Sequence, residues 1–367
     1  MTLTARLAGA ALAAFVGFVL SFASAAGAQS RSYRVIGAGD IMMGSNFPSP
    51  VMHPKLNFGV KPATLIGAPL AALLRSGDVV FGNMEGTIHT RQKPSKTCQN
   101  PKLCYVFRSP PFHADILKSI GFNMVSMANN HAGDFFGPGR DATWKNLKRV
   151  GLIVAGYDEP DRRYDILTLN DGTRVGIIGF GHNPGLLLLT DIRRAKRLVG
   201  ALAKQTDFTI VSFHGGAEGS KATRVPRQME IAWGERRGDV WRFSHAVVDA
   251  GADIVFGHGP HVPRAVEVYK GRFIAYSLGN FWTYGRFNLR GLGGVAPVAD
   301  LRVDKTGRLL SARIHSVRQP MPGVPQIDPS GRAARIIADL TAKDFPERRL
   351  RFTPNGIISG PGIGAER

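Results

Sequence analysis

Between residues 33 and 317, short apolar runs rich in β-branched residues alternate with amphipathic stretches, and the runs stop at glycines or small polar clusters. Runs of this kind predict buried strands, and apolar positions recurring every three or four residues predict helices. Strands are predicted at 33–38, 78–81, 123–127 and 152–155, separated by helices at 62–75, 113–120 and 139–149. Pro62 suits a first helical turn, and Ser76-Gly77 suits a helix stop. Segments 164–169 and 174–180 flank Asn170-Asp171-Gly172, a strong hairpin signal. A basic helix at 191–204 leads to a strand at 208–213, and a helix at 238–250 leads to one at 253–256. A second hairpin over 265–269 and 272–277 turns at Lys270-Gly271, and strands follow near 298–303 and 309–317. Segment 90–111 reads as an irregular excursion. Beyond Pro320 the chain is rich in Pro and Gly, with one short helix expected near 333–340 and otherwise a loose tail. Strands alternating with helices, then antiparallel hairpins, predict an α/β domain with mixed sheets.

Composition adds bounds rather than a fold. With 367 residues, 44% hydrophobic and 20% charged, the chain has ample material for a globular core. The N-terminal segment stands apart. Arg6, an almost wholly apolar stretch over 7–22 and Ala26-Gly27-Ala28 before Gln29 predict a secretory signal peptide over 1–28, with an uncleaved anchor as the alternative. The expected organisation is that segment, a domain over 33–320 and a Pro/Gly-rich extension over 321–367. The mature protein is then exported, to the periplasm or the exterior, and membrane-associated if the anchor is retained. Cys98 and Cys104 would form a local disulfide in an oxidising compartment; without C-x-x-C spacing, a metal or redox role is the lesser reading. The formal charge of +20 points to anionic partners such as a membrane surface, an acidic polymer or phosphorylated glycans, or else simply to solubility. Export excludes nucleic acid as a partner.

The candidate chemistry sits where apolar runs end. After the strand at 253–256, His258 and His261 flank Gly259-Pro260. Imidazoles on a short rigid loop can share a metal, although one can equally be satisfied by a carbonyl and the other exposed. Upstream lie Asp40, Glu85, the run Asn129-Asn130-His131 with Asp134, and His214 with Glu218. Each alone reads as a turn former or helix cap. Together they offer oxygen and imidazole donors at successive strand ends, the edge at which open α/β folds bind ligands. That donor set suits one or two divalent ions such as Mn, Fe or Zn. His182, after the run ending at Phe180-Gly181, would lie beside the ligands or face substrate.

In order, GDIMMG, GNMEGTI, SMANNHAGDFFGPG, FHGGAE, GADIVFGHGPHV and IAYSLGNF span 35–281. This ordered set resembles the bacterial capsule-synthesis (CapA-like) family of poly-γ-glutamate proteins, a branch of the calcineurin-like metallophosphoesterase superfamily. The resemblance implies a four-layer α-β-β-α sandwich with a metal centre at the ends of the central strands. It implies Asp40, Glu85, Asn130, His214, His258 and His261 as metal ligands, and His131 as the group that stabilises or protonates a leaving group. Two positions depart from the superfamily pattern: Met42 stands where Asp-x-His has its histidine, and one extra residue separates His258 from His261. Asp134 would orient His131 or merely turn the chain into the next helix, and Glu218 would hold His214. Arg264 and the arginines of 224–242 would face an anionic substrate or lie on a solvated helix. Asn280 would reach the site or shape a turn. The implied function is an exported metal-dependent hydrolase or transferase of capsule or envelope-polymer biosynthesis. It would act on a phosphorylated or γ-glutamyl substrate, with membrane synthase subunits as partners. The alternative is a non-catalytic, basic polyanion-binding assembly protein with a degenerate metal site.

Overall fold

Alternation of side chains along the central strands decides the layering. The computed structural model describes residues 31–53, 62–90, 92–95, 97 and 105–364, so the expected signal peptide and the Cys98–Cys104 pair lie outside the described residues. Strands β1 (Tyr33–Met42), β2 (Val79–Met84), β3 (Met124–Ser126) and β4 (Ile153–Ala155) lie side by side and parallel. In a second sheet, β5 (Tyr164–Thr168) runs antiparallel to β6 (Arg174–Phe180), and β6, β7 (Phe208–His214) and β8 (Ile254–His258) are parallel. That sheet is completed by β9 (Val266–Tyr269) and β10 (Arg272–Ala275). The chain then returns to the first sheet through β11 (Asn280–Thr283), β12 (Val295–Val303) and β13 (Leu309–Arg318).

One set of side chains, including Val35, Val79, Phe81 and Met124, meets Val175, Ile177, Phe208 and Phe256 between the sheets. The Phe81 and Phe256 rings stack there at 5.3 Å. Alternate residues Ile36, Val80 and Val125 pack outward against α2 (Ala68–Arg75), α3 (Phe112–Ile120) and α4 (Phe136–Arg149). On the far side, Ile178, Val211 and Val255 pack against α5 (Ile192–Ala203) and α6 (Val240–Asp249). The result is the expected α/β sandwich, helices outside two facing mixed sheets. No described helix is long and apolar enough to cross a membrane.

Three local expectations change. The helix predicted over 62–75 is broken into α1 (Pro62–Ile66) and α2, because Gly67 takes φ 82, which no helix continues through. The segment of arginines before α6 is not one helix. It contains a ribbon, Glu230–Ala232 against Glu235–Gly238, turning at Trp233-Gly234 with φ 55 and 79 as a two-residue hairpin requires. The chain beyond Pro320 is no loose tail. Helix α7 (Arg332–Asp344) sends Ile337 into the inter-sheet core, and Ile357–Ser359 pairs with β13 and buries Ile358. Those apolar residues outweigh the Pro/Gly composition that suggested a free end.

An ion cluster ties β1 to β12 and β13. Asp300 accepts two hydrogen bonds from Arg34, at 2.8 and 2.6 Å, and one from His315 at 2.9 Å. Burial would raise this carboxyl, but Arg34 and His315 hold it well below the usual range. A depressed carboxylate contributes stability above its unfolded pKa and loses it as pH falls. Asp300→Asn is therefore expected to cost about 2 kcal/mol near pH 7. In urea unfolding, that deficit should shrink below about pH 4.

Candidate metal centre

Because β1–β3 and β6–β8 are parallel within their sheets, their C-terminal ends carry one polar cluster after another. Asp40 is near the end of β1, Glu85 follows β2, Asn129 to His131 follow β3, and His214 and His258 close β7 and β8 in register. Position 39 of β1 requires a glycine, because a Cβ there would collide with the Gly279 carbonyl; the bare backbone lets Asp40 N donate to that oxygen at 2.9 Å. Gly259 (φ 112) and His261 (φ 57) then turn the loop after β8 back toward Asp40. A histidine held in the left-handed region costs on the order of 1 kcal/mol, strain of the kind that collects at functional sites.

The two loop histidines converge on one carboxylate. His258 Nδ1 lies 3.1 Å from Asp40 Oδ1, and His261 Nδ1 lies 2.9 Å from Oδ2. Asn83 Nδ2 donates a third bond to Oδ1 at 2.8 Å. Glu85, fully buried, places Oε1 3.3 Å from His214 Nε2 and 3.4 Å from His261 Nε2. Both Glu85 oxygens, both His214 nitrogens, His258 Nε2 and Asn130 Oδ1 are buried without a hydrogen-bond partner. Buried orphans of this kind are costly unless something else satisfies them. Donor atoms of Asp40, Glu85 and His214 all lie within 4.8 Å of one another. Carboxylate oxygens with imidazole nitrogens make a donor set that fits a divalent first-row cation.

Beside the cluster, His131 Nδ1 sits 2.9 Å from Asp134 Oδ2, which also accepts Phe107 N at 2.7 Å. Asn129 links the two groups: its Oδ1 accepts His131 N at 3.1 Å, and its Nδ2 donates to Asn83 Oδ1 at 3.1 Å. The Phe107 ring centre is 4.3 Å from that of His131 and 5.3 Å from that of Phe287, whose edge-to-face partner is His261 at 5.1 Å. A cavity of about 220 Å³, lined by Ser95, Asn129, Asn130, Asp134, Asn183 and Leu186, adjoins the loop that carries His131.

The bacterial capsule synthesis protein family, PGA_cap, matches residues 34–284, which include Asp40, Glu85, Asn130, His131, His214, His258 and His261. The chain belongs to that family. Capsule biosynthesis protein CapA of Bacillus anthracis is 29% identical over 262 residues, covering 66% of this chain; this chain spans only 58% of that relative's length. PGA biosynthesis protein CapA of Bacillus subtilis is 29% identical over 291 residues, covering 73% of this chain and 72% of its own. Among solved structures, a hypothetical protein from Thermus thermophilus aligns with a TM-score of 0.46 and 17% identity over 78% of this chain and 100% of that one. The calcineurin-like phosphoesterase YfkN from Bacillus subtilis aligns with a TM-score of 0.44 and 15% identity over 78% of this chain and 91% of that one.

In this family member the charges of the cluster oppose one another. Burial alone would raise Asp40, but hydrogen bonds from His258 and His261 hold it well below the ordinary carboxylate range. Burial and the neighbouring Asp40 charge push Glu85 well above it. Burial holds His214 well below the usual imidazole value. Burial opposes the charge on His261 as well, yet Glu85 and Asp40 outweigh it and raise this imidazole to about 10.

The remaining expected residues fall differently. His182 lies behind His214, Nδ1 3.2 Å from the His214 carbonyl and Nε2 3.0 Å from Glu235. Glu218 does not hold His214: its carboxylate is 3.8 Å from His261 Nε2 and 3.4 Å from Arg237 Nη1. Arg264 does not face a substrate. It is fully buried, paired with Glu230 by two bonds of 2.9 and 2.7 Å and donating to the Ala217 and Ala222 carbonyls. Asn280 opens β11 rather than a turn, and its Nδ2 donates to the Gly293 and His261 carbonyls. Asn83 and Phe287 were not picked out from the sequence. Asn83 stood inside the GNMEG cluster, where its place at a strand end was signal enough; Phe287 lies in a Gly-rich loop with no comparable mark.

Proposed function

We propose that this chain is an exported metal-dependent hydrolase or transferase of capsule or poly-γ-glutamate biosynthesis. The observation that carries the reading is the buried set of orphaned donors on Glu85, His214, His258 and Asn130, gathered around the hydrogen-bonded Asp40. Asp40, Glu85, Asn130, His214, His258 and His261 would hold one or two ions, with Mn, Fe or Zn suited to the donors. A bound divalent ion supplies an acidified water and a Lewis acid for a phosphoryl or acyl oxygen.

The chain's own residues have separable tasks. Asp40 orients His258 and His261 through their Nδ1 atoms, leaving each Nε2 to face the cluster. Asp134 fixes the Nδ1 proton of His131, so that Nε2 is the atom that gives or takes a proton at a leaving group. Phe107 and Phe287 shield this edge from water. The two CapA relatives are named for capsule and PGA biosynthesis, which supports an anionic polymer, or its phosphorylated or γ-glutamyl units, as the substrate class. Membrane synthase subunits are the partners this reading calls for.

A second reading rests on Met42, fully buried at the position where the superfamily pattern has a histidine. A thioether is a poor ligand for hard divalent ions, so the centre would be depleted and the basic chain would act in polymer binding and assembly. Metal content by plasma mass spectrometry, on protein purified without chelator, separates the two. The enzyme reading expects stoichiometric metal that His258→Ala abolishes, together with turnover of a nitrophenyl phosphodiester or a γ-glutamyl nitroanilide. Metal-free wild-type protein that retains polyglutamate with steep salt dependence would establish the second reading instead.

A further inference from the structure

We propose that Arg237 is the positioning residue that locks the two histidine-bearing loops of the metal centre into one register. The inference rests on the metal reading above and extends it to a residue outside the donor set. Arg237 lies on the ribbon before α6 and is only 1% exposed. Its Nε donates to the Gly216 carbonyl at 2.6 Å, and its Nη2 donates to the Gly259 carbonyl at 3.2 Å. Gly216 is two residues past His214, and Gly259 lies between His258 and His261. The third edge of the guanidinium, Nη1, is 3.4 Å from Glu218, whose other oxygen is 3.8 Å from His261 Nε2. The Arg237 backbone joins in, its carbonyl accepting Gly216 N at 2.8 Å.

One planar cation therefore grips the loop after β7, the loop after β8 and the carboxylate between them. A guanidinium presents its N–H groups in a fixed fork, so it can satisfy three acceptors in different directions at once; a lysine ammonium on a flexible stem cannot hold that geometry. The loops are built to receive it. Gly216 and Gly259 both have positive φ, at 81 and 112, and a Cβ on Gly259 would lie 2.8 Å from the Gly215 carbonyl and 3.1 Å from Arg237 Nη2. The ribbon is itself anchored at its other strand, where Glu230 pairs with Arg264 and accepts Ala217 N at 2.8 Å. Glu235, two residues before Arg237 on the same strand, reaches His182 behind His214. Outer-shell groups that orient metal ligands are worth roughly 10–100-fold in metal affinity, and Arg237 acts on that orientation through the backbone of both loops.

The test is calorimetric titration of Mn²⁺ into chelator-stripped wild-type, Arg237→Lys and Arg237→Ala proteins, with thermal unfolding of each metal-free protein alongside. Arg237→Lys keeps the charge and is expected to unfold close to wild type while binding Mn²⁺ at least about tenfold more weakly. Arg237→Ala should bind more weakly still, and millimolar guanidinium should restore part of the loss, which no general loosening of the fold would show. If Arg237→Ala does not fold, Arg237→Lys decides alone. Wild type and Arg237→Lys binding Mn²⁺ equally well would overturn the inference and leave the metal centre standing. Wild-type protein that binds neither Mn²⁺ nor Zn²⁺, titrated in the same way, would overturn both.

Discussion

Asp40→Asn is expected to destabilise the chelator-treated protein by about 3–5 kcal/mol, because it removes one partner from a buried charged set and leaves the other unpaired. It is also expected to weaken metal retention by more than about 100-fold, beyond the loss typical of an orienting group alone. Asp40 accepts from His258, His261 and Asn83, three donors facing two oxygens. An asparagine keeps the shape but turns one of those oxygens into an NH₂ group, so a donor must face a donor. The pH dependence follows from the two shifts. Asp40 is depressed from 3.8, so its contribution is complete above about that value and fades as pH falls. His261 is raised from 6.5 to about 10, so its contribution is complete below the first value and is lost as pH rises through the second. The deficit of Asp40→Asn should therefore be largest between about pH 4 and 6.5 and shrink toward pH 10. Urea unfolding across that range checks it. A deficit that ignores pH, or a variant that still copurifies with stoichiometric metal, would remove Asp40 from its central place.

The mixed α/β character and the edge that carries the centre were legible in the residue pattern, whereas the four-layer sandwich was implied by the family resemblance alone. Alternation such as Val79, Val80, Phe81 sends successive residues to opposite faces, and each apolar run ended in the polar cluster that the strand then delivered. What was not legible depends on contacts far apart in sequence. Strand β11 is four residues long and exists through its pairing with β1, Asn280 beside Asp40, which no local periodicity records. The fates of Arg264 and Glu218 were open for the same reason. An arginine reads as solvated until Glu230 is brought against it, and Glu218 turns toward His261 and Arg237 through a loop whose glycines, Gly216 and Gly219, have φ of 81 and 98. Side-chain chemistry identified the cluster; backbone turns chose who within it meets whom.

Glu85→Gln should have effects of opposite sign with and without metal. In chelator-treated protein, burial and the Asp40 charge push the Glu85 carboxyl well above 4.5, and neither oxygen has a hydrogen-bond partner. The unfolded chain ionises freely above that value while the folded chain resists, so stability falls as pH rises from 4.5 toward the raised pKa. Glutamine mimics the protonated acid and has no charge to desolvate. The variant should be the more stable protein at about pH 8, by on the order of 1 kcal/mol or more, because it escapes the linkage cost of ionising a carboxyl whose pKa is raised by folding. Under saturating Mn²⁺ the order should reverse. A ligand that binds only the native state stabilises it by RT ln(1 + [L]/Kd), and removing the Glu85 carboxylate raises Kd. Paired urea titrations in EDTA and in Mn²⁺ read both signs directly. Destabilisation in both conditions would mean that Glu85 serves the fold. A gain in EDTA with a loss in Mn²⁺ would mean that the protein keeps a buried carboxylate at a cost to its own stability because a cation binds there.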